Sequence, residues 1–81
     1  MKLEVKLFAR ARDVAGAGYV ELDVPDAANV ADLRRALALQ VPSLAPLAPQ
    51  LLIAIGTNYA DDTVLVPPNA EVACFPPVSG G

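Results

Sequence analysis

Lys2-Leu3-Glu4-Val5-Lys6-Leu7 carries an apolar residue at every second position. Leu3, Val5 and Leu7 share one face, and Lys2, Glu4 and Lys6 share the other. This is the pattern of a strand with one side covered and one side in water. Val20, Leu22 and Val24 alternate in the same way against Tyr19, Glu21 and Asp23 and predict a second strand. The connection between them, which contains Gly16 and Gly18, is too short for a crossover helix with its loops, so the two strands are expected to be antiparallel neighbours. Residues 10–15 leave room for a turn of helix. Asn29 is a favourable N-cap, with Asp32 three residues on in the first turn. Val30, Leu33, Leu37 and Val41 then recur at helical spacing until Pro42 stops the run. A helix over 30–41 is expected, laid across one face of the sheet.

Pro46 and Pro49 predict an irregular stretch, with Leu44 and Leu47 tucked back under the helix. Gln50 to Ile55 is a continuous apolar run and predicts a strand that is central in the sheet or buried on both sides, broken by Gly56-Thr57-Asn58. Asp61-Asp62 reads as a turn and Val64-Leu65-Val66 as a short strand or turn. Glu71 to Phe75 is the last strand, closed by Pro76-Pro77, because proline cannot continue the ladder. Strand, strand, helix, strand, short elements, strand is the order of an α+β domain with one main helix packed on one face of a mixed sheet.

Composition narrows the function. The chain has 81 residues, 54% of them hydrophobic and 19% charged, with no His, no Trp and one Cys. That suits a single small folded domain. It excludes Ser-His-Asp and Cys-His sites and any His-based or multi-thiolate metal site, so no metal and no unaided catalysis are expected. All six cations lie in residues 1–35, and the acids Asp61, Asp62 and Glu71 stand alone in residues 36–81. With a pI near 4.5, nucleic acid is a disfavoured partner. A basic partner surface is the natural complement of the second part, solubility being the plainer account of its charge. Charges at alternate N-terminal positions do not make a signal peptide, and no apolar run is long enough to span a membrane. A lone cysteine suits a reducing, cytoplasmic setting.

The ending, Phe75-Pro76-Pro77-Val78-Ser79-Gly80-Gly81, is the most telling segment. Residues 76–81 are expected to form an extended, flexible tail beyond a folded body of residues 1–75, reaching roughly 20 Å. Bare glycines at its end suit a narrow channel in another protein; a frayed terminus is the alternative. Cys74 reads as packing rather than as a sulfur-bearing thiol. Arg34 and Arg35 read as a solvated helix face, and Asp61 and Asp62 as solvated turn carboxylates rather than metal ligands. Phe8 points away from Leu3, Val5 and Leu7, and Phe75 precedes the tail. Both are candidate interface anchors, with core packing the competing account.

With these residues in view, the chain resembles the MoaD family, the small sulfur-carrier subunits of molybdopterin synthase, over its whole length. The most specific match is Glu71-Val72-Ala73-Cys74-Phe75-Pro76-Pro77-Val78-Ser79-Gly80-Gly81. Two departures stand out. Gly56-Thr57-Asn58 lies where the family often has Asn, and Pro68-Asn69-Ala70 where it often has Asp-Gly followed by an acid. The resemblance implies a ubiquitin-like β-grasp fold. It implies that a MoeB-like, E1-like partner adenylates the Gly81 carboxylate with ATP and magnesium, and that a sulfur donor then converts it to a thiocarboxylate. The tail, Pro76, Pro77, Val78, Ser79 and Gly80, would insert into a MoaE-like large subunit, in a heterotetramer of two small and two large subunits. There Gly81 would give its sulfur to cyclic pyranopterin monophosphate to build the molybdopterin dithiolene. The carrier itself would bind no cofactor and be no enzyme on its own. A carrier of the ThiS or cysteine-synthesis kind, and a ubiquitin-like protein modifier, remain the alternatives.

Overall fold

The computed structural model describes residues 1–77. Along the chain run β1 (Lys2–Leu7), α1 (Ala9–Ala15), β2 (Tyr19–Asp23), α2 (Val30–Gln40), 3₁₀ turns at Pro42–Leu44 and Ala48–Gln50, β3 (Leu52–Ile55), β4 (Asn58–Tyr59) and β5 (Val72–Phe75). The strands form one sheet in the order β2-β1-β5-β3-β4. β1 is antiparallel to β2, with Leu3 opposite Leu22. It is parallel to β5, with Val5 opposite Val72 and Leu7 opposite Cys74. β3 runs antiparallel to both β5 and β4. The first and last strands therefore lie side by side and parallel, with the last at the centre. This is the β-grasp arrangement.

The alternation of β1 survives intact: Leu3, Val5 and Leu7 are buried, and Lys2, Glu4 and Lys6 are exposed. The inward residues meet Leu22, Ile53, Val72 and Cys74 from the other strands and Val30, Leu33 and Leu37 from α2 in one core. Each large side chain so buried contributes about 1.5–3 kcal/mol. α2 begins where Asn29 and Asp32 close a reciprocal capping box, Oδ1 of Asn29 accepting from the Asp32 N–H at 2.9 Å and Oδ2 of Asp32 accepting from the Asn29 N–H at 3.1 Å. It ends at Gln40, whose side-chain amide accepts from the Asp23 N–H at 2.9 Å and donates to the Asp23 carbonyl at 2.7 Å. β2 is an edge strand, and this two-point bond occupies one position of its free edge as a neighbouring strand would.

Several expectations are corrected. The strand expected over Gln50–Ile55 begins only at Leu52, because Gln50 closes a 3₁₀ turn. It is internal to the sheet, between β5 and β4, but it is not covered on both faces. Helix packs on one face alone, so Ile53 is buried while Leu52 is 38% exposed. The proline-rich stretch is more regular than expected: Pro42 and Pro49 sit at the starts of the two 3₁₀ turns, where a missing N–H costs nothing. Leu44 is fully buried beneath α2, as its pattern implied. β4 has no counterpart in the sequence reading; it forms because Gly56, at φ 62, turns the chain back on β3. Arg34 is not part of a solvated face. Its side chain is only 19% exposed and pairs with Asp62, whereas Arg35 is exposed and pairs with Asp32.

Candidate functional site: the aromatic platform at the end of the central strand

β5 alternates like β1. Val72 and Cys74 are buried, while Ala73 and Phe75 are half-buried on the open face of the sheet. Phe75 lies opposite Leu52 of β3. On its other side, Phe8 leaves β1 just past the Leu7–Cys74 pair, and its N–H donates to the Cys74 carbonyl at 3.2 Å. The chain then turns into α1 through Ala9, held at φ 52. The rings of Phe8 and Phe75 stack with centroids 4.7 Å apart and planes 10° from parallel. Tyr59 of β4 meets Phe75 edge-on at 6.2 Å and 73°. Both geometries suit the aromatic quadrupole. Phe8 remains 41% and Tyr59 70% exposed, so the trio with Leu52 forms an apolar patch facing solvent.

The structure thus brings together the two candidate anchors read from the sequence, which are distant in the chain. The parallel register of β1 and β5 does this. Tyr59 was missed, because nothing in the linear pattern marks a two-residue strand. Pro76 is half-buried and Pro77 exposed as the chain leaves the platform. Val78, Ser79, Gly80 and Gly81 lie outside the described residues.

Cys74 is fully buried. Burial pushes its thiol up to about 12, against a smaller opposing pull from the Arg34 charge. At neutral pH it is a packed thiol and not a nucleophile. Asp61 caps its own turn, accepting from the hydroxyl and the N–H of Thr63, which hold its carboxyl below its ordinary value. Among the described residues no three His, Cys, Asp or Glu side chains converge as a metal site, and no helix is long and apolar enough to cross a membrane.

The sequence model of the ThiS family matches residues 5–81. The chain belongs to the ThiS family. This ThiS-family chain is 32% identical, over 81 residues, to the molybdopterin synthase sulfur carrier subunit of Arabidopsis thaliana, the match covering 100% of the chain and 84% of that protein. It is 28% identical to the protein of the same name from Homo sapiens, covering 99% of the chain and 94% of the relative. Among solved structures, SAMP1 from Haloferax volcanii superposes with a TM-score of 0.84 at 31% identity, with both chains covered in full. The putative molybdopterin converting factor subunit 1 from Pyrococcus furiosus gives 0.81 at 27% identity, over 95% of this chain and 98% of that one.

Both loops that depart from the MoaD pattern contain a residue at positive φ. Gly56 and Asn69 both have left-handed backbones, with φ of 62 and 61. Glycine and asparagine are the residues that adopt this conformation most readily.

Proposed function

We propose that this chain is the sulfur carrier subunit of a molybdopterin synthase and works through the carboxylate of Gly81. The observation that carries this reading is the end-to-end likeness to relatives that bear that name, on a chain whose central strand runs directly into Phe75-Pro76-Pro77-Val78-Ser79-Gly80-Gly81. A carboxylate is a poor electrophile. An E1-like partner using ATP and magnesium joins it to AMP with release of pyrophosphate. A sulfur donor then displaces AMP and leaves the thiocarboxylate, an anionic nucleophile at neutral pH. Carried into the large subunit on the tail from Pro76 to Gly80, it gives sulfur to cyclic pyranopterin monophosphate, and two such transfers make the dithiolene. The reacting sulfur rides on a backbone carbon, so no side chain of the carrier acts as acid, base or nucleophile, and the carrier holds no cofactor. The inert setting of Cys74 supports this division of labour. The patch of Phe8, Tyr59 and Phe75 supplies the anchor for the large subunit, in a complex of two small and two large subunits working in the cytoplasm.

Intact-mass measurement after incubation with an activating enzyme, ATP, magnesium and a sulfur source tests the reading. The expected product carries one sulfur in place of one oxygen at Gly81; an unchanged mass would refute it. A second reading, a ubiquitin-like modifier, is favoured by the likeness to proteins named small archaeal modifier protein 1. It predicts isopeptide-linked conjugates to lysines in the same mass experiment when lysate is added.

A further inference from the structure

Arg34 projects from α2 toward the segment that feeds β3. One guanidinium nitrogen, Nη1, donates to the Ala48 carbonyl at 2.6 Å and to the Leu51 carbonyl at 2.7 Å. Nε and Nη2 both reach Oδ1 of Asp62 at 3.2 Å. Ala48 opens the 3₁₀ turn that precedes β3 and Leu51 is its C-cap, whose N–H closes the turn on the Ala48 carbonyl at 3.4 Å and also reaches the Leu47 carbonyl at 3.1 Å. The very next residue, Leu52, is the partner of Phe75 in the sheet. The guanidinium therefore grips the backbone one residue before the pair at which β5 gives way to the tail. Asp62 is more than half exposed, so its share of the grip is small. Hydrogen bonds from a largely covered cation to two carbonyls are the stronger part. A lysine ammonium in this place would lack the planar fork that spans three acceptors.

We propose that Arg34 is a positioning residue for sulfur transfer. By fixing Leu51 it holds Leu52 against Phe75, and so fixes both the aromatic platform and the point from which the tail departs. This rests on the sulfur-carrier reading. It is separable from it, because the register of Leu52 and Phe75 is measurable without any reaction.

The experiment compares the full chain with Arg34→Lys, Arg34→Met and Asp62→Asn, at a temperature where circular dichroism shows each fully folded. Amide exchange is followed at Leu52 and Phe75, with Leu3 and Val5 as internal references. The thiocarboxylated proteins are then titrated against the large subunit and its pterin precursor. Exchange at Phe75 is expected to rise about ten- to a hundredfold in Arg34→Met, less in Arg34→Lys, and little in Asp62→Asn, which keeps both carbonyl bonds. The KM for the carrier is expected to rise in the same order with kcat unchanged, because docking on the partner restores the pair. A residue that merely braced α2 would speed exchange at Leu3 and Val5 equally and leave the KM of folded protein alone. Should Arg34→Met fail to fold, Arg34→Lys carries the test. Unchanged exchange at Phe75, or an unchanged KM, in the folded Arg34 variant overturns the proposal. If the parent protein carries no sulfur, the functional reading fails, and the exchange data still decide whether Arg34 sets the register.

Discussion

Cys74 is the residue most open to misreading, since it is the only thiol and lies one position before Phe75. Its surroundings disfavour a chemical role. A thiol moved from about 9 up to about 12 by burial stays protonated in the fold. The sign of the linkage follows. The unfolded chain gives up this proton first, so the stabilisation is whole below pH 9 and is lost as pH rises toward 12, by about 1.4 kcal/mol per pH unit. Melting measured against pH for the parent and for Cys74→Ser is expected to show a steeper alkaline decline in the parent. At neutral pH the variant is expected to melt lower, because a hydroxyl replaces a buried thiol at a cost of about 1–3 kcal/mol. It is nonetheless expected to retain most of its sulfur transfer. Loss of transfer in folded Cys74→Ser would return the thiol to the mechanism.

Among the elements, α2 carries the largest load on the core. Val30, Leu33 and Leu37 are fully buried, and the Asn29–Asp32 box fixes where the helix starts. Leu37→Ala is expected to destabilise by about 2–5 kcal/mol, and Asn29→Ala by about 1 kcal/mol through loss of the cap. Chemical denaturation checks both. A smaller loss at Leu37 than at Asn29 would mean that α2 is held by its end and not by its face.

For the molecule as a whole, the central prediction is a separation of folding from function. The core closes among residues of the sheet and α2, and the proposed chemistry lies at Gly81. Deleting Gly81 is expected to leave the unfolding midpoint unchanged. It withdraws the reactive carbon by about 3.5 Å, whereas a misplacement of about 1 Å can already cost a hundredfold in rate. Thiocarboxylate formation and sulfur transfer are therefore expected to be lost, as read by intact mass and by conversion of the pterin precursor. Phe75→Asp acts on the other half of the device. It places a charge in the patch with Phe8 and Tyr59 and is expected to weaken the complex with the large subunit while the sheet remains folded. Equal affinity of parent and variant by calorimetry would remove Phe75 from the interface.

Local pattern was enough for β1, β2, α2 and β5. Each is specified by an alternation or a helical repeat with its own stop signal, and Asn29, Pro42 and Pro76 act within a few residues of where they stand. The tail motif is read from covalent order alone, and Val78 to Gly81 lie outside the described residues. Other features required the tertiary structure. Tyr59 joins the platform only because Gly56 folds β4 back on β3, and Phe8 meets Phe75 only because two strands whose paired residues lie 67 positions apart run in parallel. Arg34 and Arg35 are neighbours with the same charge. One is largely covered against the carbonyls of Ala48 and Leu51 and the other is exposed. Helical spacing sets Arg34, four residues after Val30 and three before Leu37, at the border of the apolar stripe and Arg35 outside it; only long-range packing brings the carbonyls of Ala48 and Leu51 to Arg34.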